Sequence, residues 1–158
     1  MKRRMDVTDE ENGCGVFAKK PGGVCKTACE KMSPRPSRLM QWPCQIALVP
    51  VNAPYFDGAD LLIAADCAAY AYASFHDDFM KDHITLIGCS RSDVDKTREK
   101  LVAIFSNNQV KSVTVAQVEV PCCAELAYIV NQALHDSGKT IPKRTLTITT
   151  DGKILCDF

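Results

Sequence analysis

The chain has 158 residues, enough for one hydrophobic core, and its 19 basic and 19 acidic side chains leave no net charge. This balance excludes the basic surface typical of nucleic-acid-binding proteins and provides no attraction to an anionic membrane. No apolar run is long enough to span a membrane, and acidic residues follow the basic N-terminus where a signal peptide needs an apolar core. We therefore expect a cytoplasmic protein.

The N-terminal part of the chain differs in composition from the remainder. Residues 1–43 are rich in Gly, Pro, Lys and Ser and show neither strand nor helix periodicity. Pro34 and Pro36 additionally disfavour a helix on either side of Arg35. We predict an irregular arm over residues 1–43 and an α/β domain over residues 44–158.

Strand and helix patterns alternate from residue 44 onward. Buried apolar runs and one Val-rich alternating segment predict strands at residues 45–49, 59–65, 84–88 and 112–120. Apolar residues at helical spacing predict helices over residues 68–80, 93–107 and 122–135. Because helices of this length connect parallel strands, we predict a doubly wound, mostly parallel sheet in three layers, similar to Rossmann and flavodoxin folds.

Two local signals complete the prediction of the fold. Ser92 is suited to cap the helix that begins at residue 93. Segments 145–149 and 154–156 flank Asp151-Gly152 and predict a hairpin at the sheet edge.

Cysteine is the unusual feature of the composition, with nine residues in a chain that carries no export signal. Three of the predicted strands end on cysteine: Cys67 follows the second, Cys89 the third, and Cys122-Cys123 the fourth. Parallel strands present their carboxyl ends at one edge of the sheet, which is where open α/β folds bind ligands. These four sulfur atoms are therefore expected to converge.

Four converging thiols indicate a metal site. Cys122 and Cys123 begin a helix, whose free N–H groups and dipole stabilise thiolates and the sulfurs of an anionic cluster. Adjacent cysteines chelate a single tetrahedral ion poorly but can reach different irons of a cluster. We predict a 4Fe-4S cluster on Cys67, Cys89, Cys122 and Cys123, with zinc, thiol redox chemistry or plain packing as alternatives.

The arm and its boundary supply further cysteines. A second metal site on Cys14, Cys25, Cys29 and Cys44 is a weaker hypothesis, since a segment without a core would gain order from a metal ion. Asp66 has two interpretations of equal weight: it orients Cys67 or a substrate, or it caps the helix that follows.

Several motifs in residues 39–125 resemble one known family. They are Gln41-Trp42-Pro43, Leu48-Val49-Pro50, Asn52-Ala53-Pro54-Tyr55-Phe56, Gly58 to Cys67, Phe75-His76, Ile87-Gly88-Cys89 and Glu119 to Cys123. This pattern is similar to the C-terminal domain of ferredoxin-like iron-sulfur proteins of anaerobic bacteria and archaea. In that family the domain usually follows a two-cluster ferredoxin module, which residues 1–43 replace here.

The resemblance implies an iron-sulfur-binding protein, whereas the clusters of the family's ferredoxin module have no counterpart in residues 1–43. Our leading hypothesis is a non-catalytic iron-sulfur protein that serves electron transfer or redox sensing with a redox protein partner. A small redox enzyme that uses the cluster or a thiolate, and a zinc-binding or metal-free interaction module, remain open. Formation of a homo-oligomer is also left open. Nucleotide binding is disfavoured, because no Gly-x-Gly-x-x-Gly motif follows a predicted strand.

Overall fold

A computed structural model describes residues 35–91 and 93–155 of the chain. The compact unit that carries the fold begins at Ser37. It therefore includes residues 37–43, which the composition assigned to the arm. Cys14, Cys25, Cys29, Cys156 and the expected helix cap Ser92 lie outside the described residues.

The described residues form one sheet of five strands. The strands are β1 (Asp60–Ala65), β2 (Ile84–Gly88), β3 (Ser112–Val118), β4 (Lys143–Ile148) and β5 (Ile154–Leu155). Their order across the sheet is β2-β1-β3-β4-β5. The first four are parallel, and β5 pairs with β4 in the antiparallel direction. The predicted mostly parallel sheet and its edge hairpin are confirmed.

Helices connect the parallel strands. They are α1 (Ala68–Ala71), α2 (Val94–Asn107) and α3 (Pro121–Asp136). The connection from β1 to β2 moves across the sheet in one direction. The connections from β2 to β3 through α2 and from β3 to β4 through α3 move across it in the opposite direction. Right-handed crossovers therefore place α2 and α3 together on one face and α1 on the opposite face, and α2 and α3 pack against each other. Among the described helices, none combines the length and apolar character needed to cross a membrane.

The strand expected at residues 45–49 is wrong. This segment makes a single parallel bridge, between Gln45 and Ile87 of β2. The Gln45 carbonyl oxygen then accepts hydrogen bonds from the N–H groups of Leu48 and Val49, which turns the chain away from the sheet. A short apolar run is therefore not sufficient evidence for a strand. In this turn Ile46 and Val49 are buried, whereas Leu48 is exposed.

The Gln41 side chain forms hydrogen bonds with the backbone at the outer edge of β2. Its amide nitrogen donates to the Thr85 carbonyl oxygen, and its amide oxygen accepts from the Thr85 N–H. The side chain thus replaces the two hydrogen bonds that a neighbouring strand would supply to Thr85.

The helix expected at residues 68–80 is also wrong in its extent. It ends after α1, because Tyr72 has an extended backbone (φ −116°, ψ 111°), and a short π-helical turn follows at His76–Met80. Beyond the break, Tyr72 and Phe75 both pack on Phe79, with ring centroids 5.2 and 5.3 Å away. Apolar residues at helical spacing were therefore not sufficient for a continuous helix.

The cap of α2 lies one residue beyond the expected Ser92. Asp93 is extended and its carboxylate accepts a hydrogen bond from the Lys96 N–H, so Asp93 caps the helix. At the other end, the side-chain amides of Asn107 and Asn108 donate to carbonyl oxygens of the last turn.

The core lies on both faces of β1 and β3, as expected for central parallel strands. Leu61, Leu62 and Ile63 of β1 are fully buried, although successive side chains point to opposite faces. Each such side chain contributes about 2–3 kcal/mol through removal from water. Large buried residues of the helices complete the core: Leu101, Ile104 and Phe105 of α2 and Leu126 and Ile129 of α3.

The loop between β4 and β5 depends on a glycine that touches α1. Gly152 has φ +81°, and a Cβ atom there would lie 2.7 Å from the carbonyl oxygen of Ala71. We expect Gly152→Ala to lower the free energy of unfolding by about 2–3 kcal/mol, through backbone strain and this clash. Gly138→Ala is the matched control, since Gly138 has φ +68° but open space around it. Urea unfolding should show the smaller loss for Gly138→Ala, and equal losses would contradict the contact with Ala71.

The amino end of β1 carries an ion pair that makes stability depend on pH. Lys111 Nζ lies 2.7 Å from Asp60 Oδ2, and hydrogen bonds from Lys111 and then Ser112 lower the pKa of Asp60. The ionised Asp60 carboxylate therefore stabilises the fold fully above the pKa that Asp has in the unfolded chain, about 3.9. This stabilisation is lost as the pH falls through the lower pKa of Asp60 in the folded chain.

We expect Asp60→Asn to lower the free energy of unfolding by about 0.5–1 kcal/mol at neutral pH. In acid, the free energies of unfolding of wild type and variant should become equal, because the Asp60 carboxylate is protonated there. Urea titrations at several pH values test this, and Glu125→Gln on the exposed face of α3 should change little.

Candidate functional site

The strand order creates a crevice at the carboxyl edge of the sheet. From β1 the chain moves to β2 on one side, and it then crosses to β3 on the other side of β1. At the carboxyl ends of the adjacent strands β1 and β3, the chain leaves toward opposite faces of the sheet. Doubly wound folds bind their ligands in the crevice between two such strands. Cys67 lies two residues after the end of β1, and Cys122 and Cys123 follow β3. These cysteines therefore flank the crevice.

We refer to Cys67, Cys89, Cys122 and Cys123 as the cysteine rim. Within it, the Sγ atoms of Cys67 and Cys123 are in contact at 3.5 Å. Cys67 is exposed, whereas Cys123 is only 5% exposed and belongs to the hydrophobic core. One thiol of this pair is thus open to solvent and the other is covered.

The tandem cysteines lie in the first turn of α3, as the sequence predicted. Val120 precedes the helix with an extended backbone and provides no side-chain cap, and Pro121 occupies the first turn. The N–H groups of this turn therefore have no side-chain oxygen from the cap residue. Together with the helix dipole, they favour negative charge on nearby sulfur.

Ser90 joins the end of β2 to the first turn of α3. Its hydroxyl group donates a hydrogen bond to the Cys122 carbonyl oxygen, and the side chain is buried. Because β1 lies between β2 and β3, this bond brings the loops from three strands together above the end of β1. Ser90 was not among the site residues predicted from the sequence, although its position directly after Cys89 was a usable signal.

The remaining cysteines have less direct contacts. Cys89 is half-buried, and its Sγ accepts a weak hydrogen bond from the Arg91 N–H at 3.5 Å. Cys44 is half-buried and lies beside the outer edge of β2, where its carbonyl oxygen accepts from the Ile87 N–H. The other members of the predicted second metal site lie outside the described residues.

No group of three or more Cys, His, Asp or Glu side chains in residues 35–91 and 93–155 is arranged to hold a metal ion. The five cysteines of these segments are free thiols. The structure thus brings Cys67 and Cys123 into contact and places Cys122 beside them, while the joint ligation of a metal by all four stays a prediction.

Burial controls the charge of the covered thiol. Desolvation raises the pKa of Cys123, and the neighbouring Cys67 raises it further, whereas contacts with the Val118 backbone and the Cys122 side chain oppose the rise. A metal ion would displace the proton of this thiol, because thiolate is the form that binds metals.

Asp66 lies between β1 and Cys67 and has an unsatisfied polar atom. Its Oδ1 atom is buried, and no described residue forms a hydrogen bond to it. Burial correspondingly raises the pKa of the carboxyl group. The N-cap residue of α1 is Cys67, and no side chain forms a capping hydrogen bond there. The interpretation of Asp66 as the cap of this helix is therefore wrong. A buried polar atom without a hydrogen-bond partner at the carboxyl edge of the sheet requires an explanation.

Comparison with known proteins identifies the domain but no activity. An uncharacterized protein of Archaeoglobus fulgidus is 32% identical over 115 residues, which cover 72% of this chain and 81% of the archaeal protein. No solved structure matches the chain. The family model described as "Rossmann-like domain" matches residues 53–157, which contain the whole sheet and the cysteine rim. The chain therefore belongs to the Rossmann-like domain family.

Proposed function

We propose that the cysteine rim binds a 4Fe-4S cluster, with Cys67, Cys89, Cys122 and Cys123 as ligands. The observation that carries this proposal is the meeting of three strand ends above β1. There Cys67 lies beside Cys123, and Ser90 joins the loop of Cys89 to Cys122. Binding of Cys67 and Cys123 to separate irons requires their sulfur atoms to move apart from this contact. A cluster at this position would supply one-electron transfer, with a redox protein as the partner, or would sense redox conditions.

The donor chemistry of the rim fits a cluster. All four side chains are free thiols, and a 4Fe-4S cluster takes four cysteine thiolates, one for each iron. The ligands of a cluster therefore do not have to surround one ion. The first turn of α3 favours anionic sulfur, and the unsatisfied Asp66 oxygen marks an adjacent place for a polar group.

The resemblance of residues 39–125 to the C-terminal domain of ferredoxin-like iron-sulfur proteins supports the same function. The cysteines that carry this resemblance are the four of the rim. Thiol ligands have to be kept reduced before a cluster is inserted, which is the condition of the cytoplasm. We therefore retain the cytoplasm as the proposed location and a non-catalytic electron-transfer or sensing role as the proposed activity.

Zinc is the second candidate, because one distance between sulfur atoms favours it. Two thiolates on a tetrahedral zinc ion with Zn–S bonds of about 2.3 Å lie about 3.8 Å apart. The Cys67 and Cys123 sulfurs are 3.5 Å apart, close to this spacing. A structural zinc site would make the protein an interaction module.

The metal content of anaerobically purified protein tests these candidates. We expect about four iron atoms and four acid-labile sulfides per chain, together with a brown colour. Cys122→Ser and Cys89→Ser should each remove most of the iron and sulfide, because each deletes one thiolate ligand. Iron, sulfide and zinc are measured on the same samples.

Two controls locate the site. Cys44→Ser removes a half-buried thiol beside β2 and should leave the iron content unchanged. A variant with serine at Cys14, Cys25 and Cys29 should also keep its iron. Loss of iron in that variant, with retention in Cys122→Ser and Cys89→Ser, would overturn the assignment to the rim. Stoichiometric zinc without iron would support the zinc candidate, and a metal-free protein would contradict both.

A further inference from the structure

We propose that Cys67 and Cys123 form a dithiol pair that reacts with disulfide compounds to give a reversible intramolecular disulfide. This inference concerns the metal-free chain, so it is independent of the proposed cluster. It adds a second reaction to the same edge of the sheet, with low-molecular-weight or protein disulfides as the co-reactant.

The contact between the two sulfurs is the basis of the proposal. Their separation of 3.5 Å has to shorten by about 1.5 Å to reach the length of a disulfide bond. Elements distant in sequence hold the two cysteines, since Cys67 follows β1 and Cys123 lies in α3. The pair is therefore formed by the fold, and unfolding would separate the two thiols.

The difference in exposure assigns a role to each cysteine. Cys67 is exposed and can meet an external disulfide, whereas Cys123 is only 5% exposed and is covered by the core. Cys67 is accordingly the residue that reacts first, and Cys123 is the residue that resolves the intermediate. This order follows from access to solvent.

The reaction balances with one external disulfide, RSSR. The Cys67 thiolate attacks one sulfur of RSSR, so a mixed disulfide forms on Cys67 and one RS⁻ leaves. The Cys123 thiolate then attacks the Cys67 sulfur, which forms the Cys67–Cys123 bond and releases the second RS⁻. The two thiol protons end on the two RSH products, the protein dithiol is oxidised by two electrons, and RSSR is reduced.

The test uses the full chain, freed of metal and reduced, with oxidised glutathione as the disulfide. After alkylation of the remaining thiols, tryptic digestion gives a peptide of residues 39–81 with Cys44 and Cys67, and one of residues 112–139 with Cys122 and Cys123. We expect these two peptides to become linked. Cys44→Ser and Cys122→Ser should keep the link, whereas Cys67→Ser and Cys123→Ser should reduce it by at least about tenfold.

The single variants also test the order of the two steps. In Cys123→Ser the mixed disulfide with glutathione should accumulate on Cys67, because the resolving thiol is missing. In Cys67→Ser, Cys123 should remain a thiol, because it is buried. Each variant is first checked for native circular dichroism, and a variant that has not folded is replaced by the corresponding alanine variant.

Two results would overturn the proposal. One is a link that persists in Cys67→Ser or Cys123→Ser, which would assign it to Cys44 or Cys122. The other is the absence of a link in the folded wild-type chain under conditions in which the glutathione reacts with its exposed thiols. Neither result depends on iron or zinc, so failure of the cluster proposal and failure of the disulfide proposal are distinguishable.

Discussion

The reversal of strand order at β1 determines which residues can meet at the carboxyl edge. The chain passes from β1 to β2 on one side and reaches β3 on the other, so β1 lies between the two strands whose following loops carry the remaining cysteines. Parallel pairing of β1 with both neighbours aligns the three strand ends within a few residues. The Cys67–Cys123 contact, the Ser90 bridge and the unsatisfied Asp66 oxygen all lie where these ends come together. The chemistry of the site therefore depends on strand order more than on any single interaction.

The sequence predicted the features that depend on local periodicity. The span of β2 and the extents of α2 and α3 agree within two residues with the prediction, because buried runs and helical stripes are strong there. The placement of cysteines after the strands was also readable, since it needs only the alternation of strand and helix. The predicted irregular arm lies largely outside the described residues, and its second metal site stays a prediction.

Features that depend on contacts between distant residues could not be predicted. The break at Tyr72, whose ring packs on Phe79, is not indicated by the helical spacing of the apolar residues. Gln45 was assigned to a strand because its neighbours are apolar, but the hydrogen bonds it accepts from Leu48 and Val49 close a turn. The hydrogen bond from Ser90 to Cys122 could be recognised only from the fold, which places the two residues side by side. The cysteine residues of the site could thus be named from sequence, but the interactions that hold the site together could not.

The cover on the outer edge of β2 has a consequence for self-association. The side chain of Gln41 occupies both backbone hydrogen-bonding groups of Thr85. The Cys44 carbonyl oxygen accepts from the Ile87 N–H, and the Ile46 N–H donates to the Ile87 carbonyl oxygen. A strand from another molecule has no free backbone groups at these positions, so growth of the sheet into a fibril is blocked on that side. On the opposite side, the described part of β5 offers only the two residues Ile154–Leu155. At the edge formed by β2, pairing with a strand of another molecule is thus prevented by one glutamine amide and two backbone hydrogen bonds.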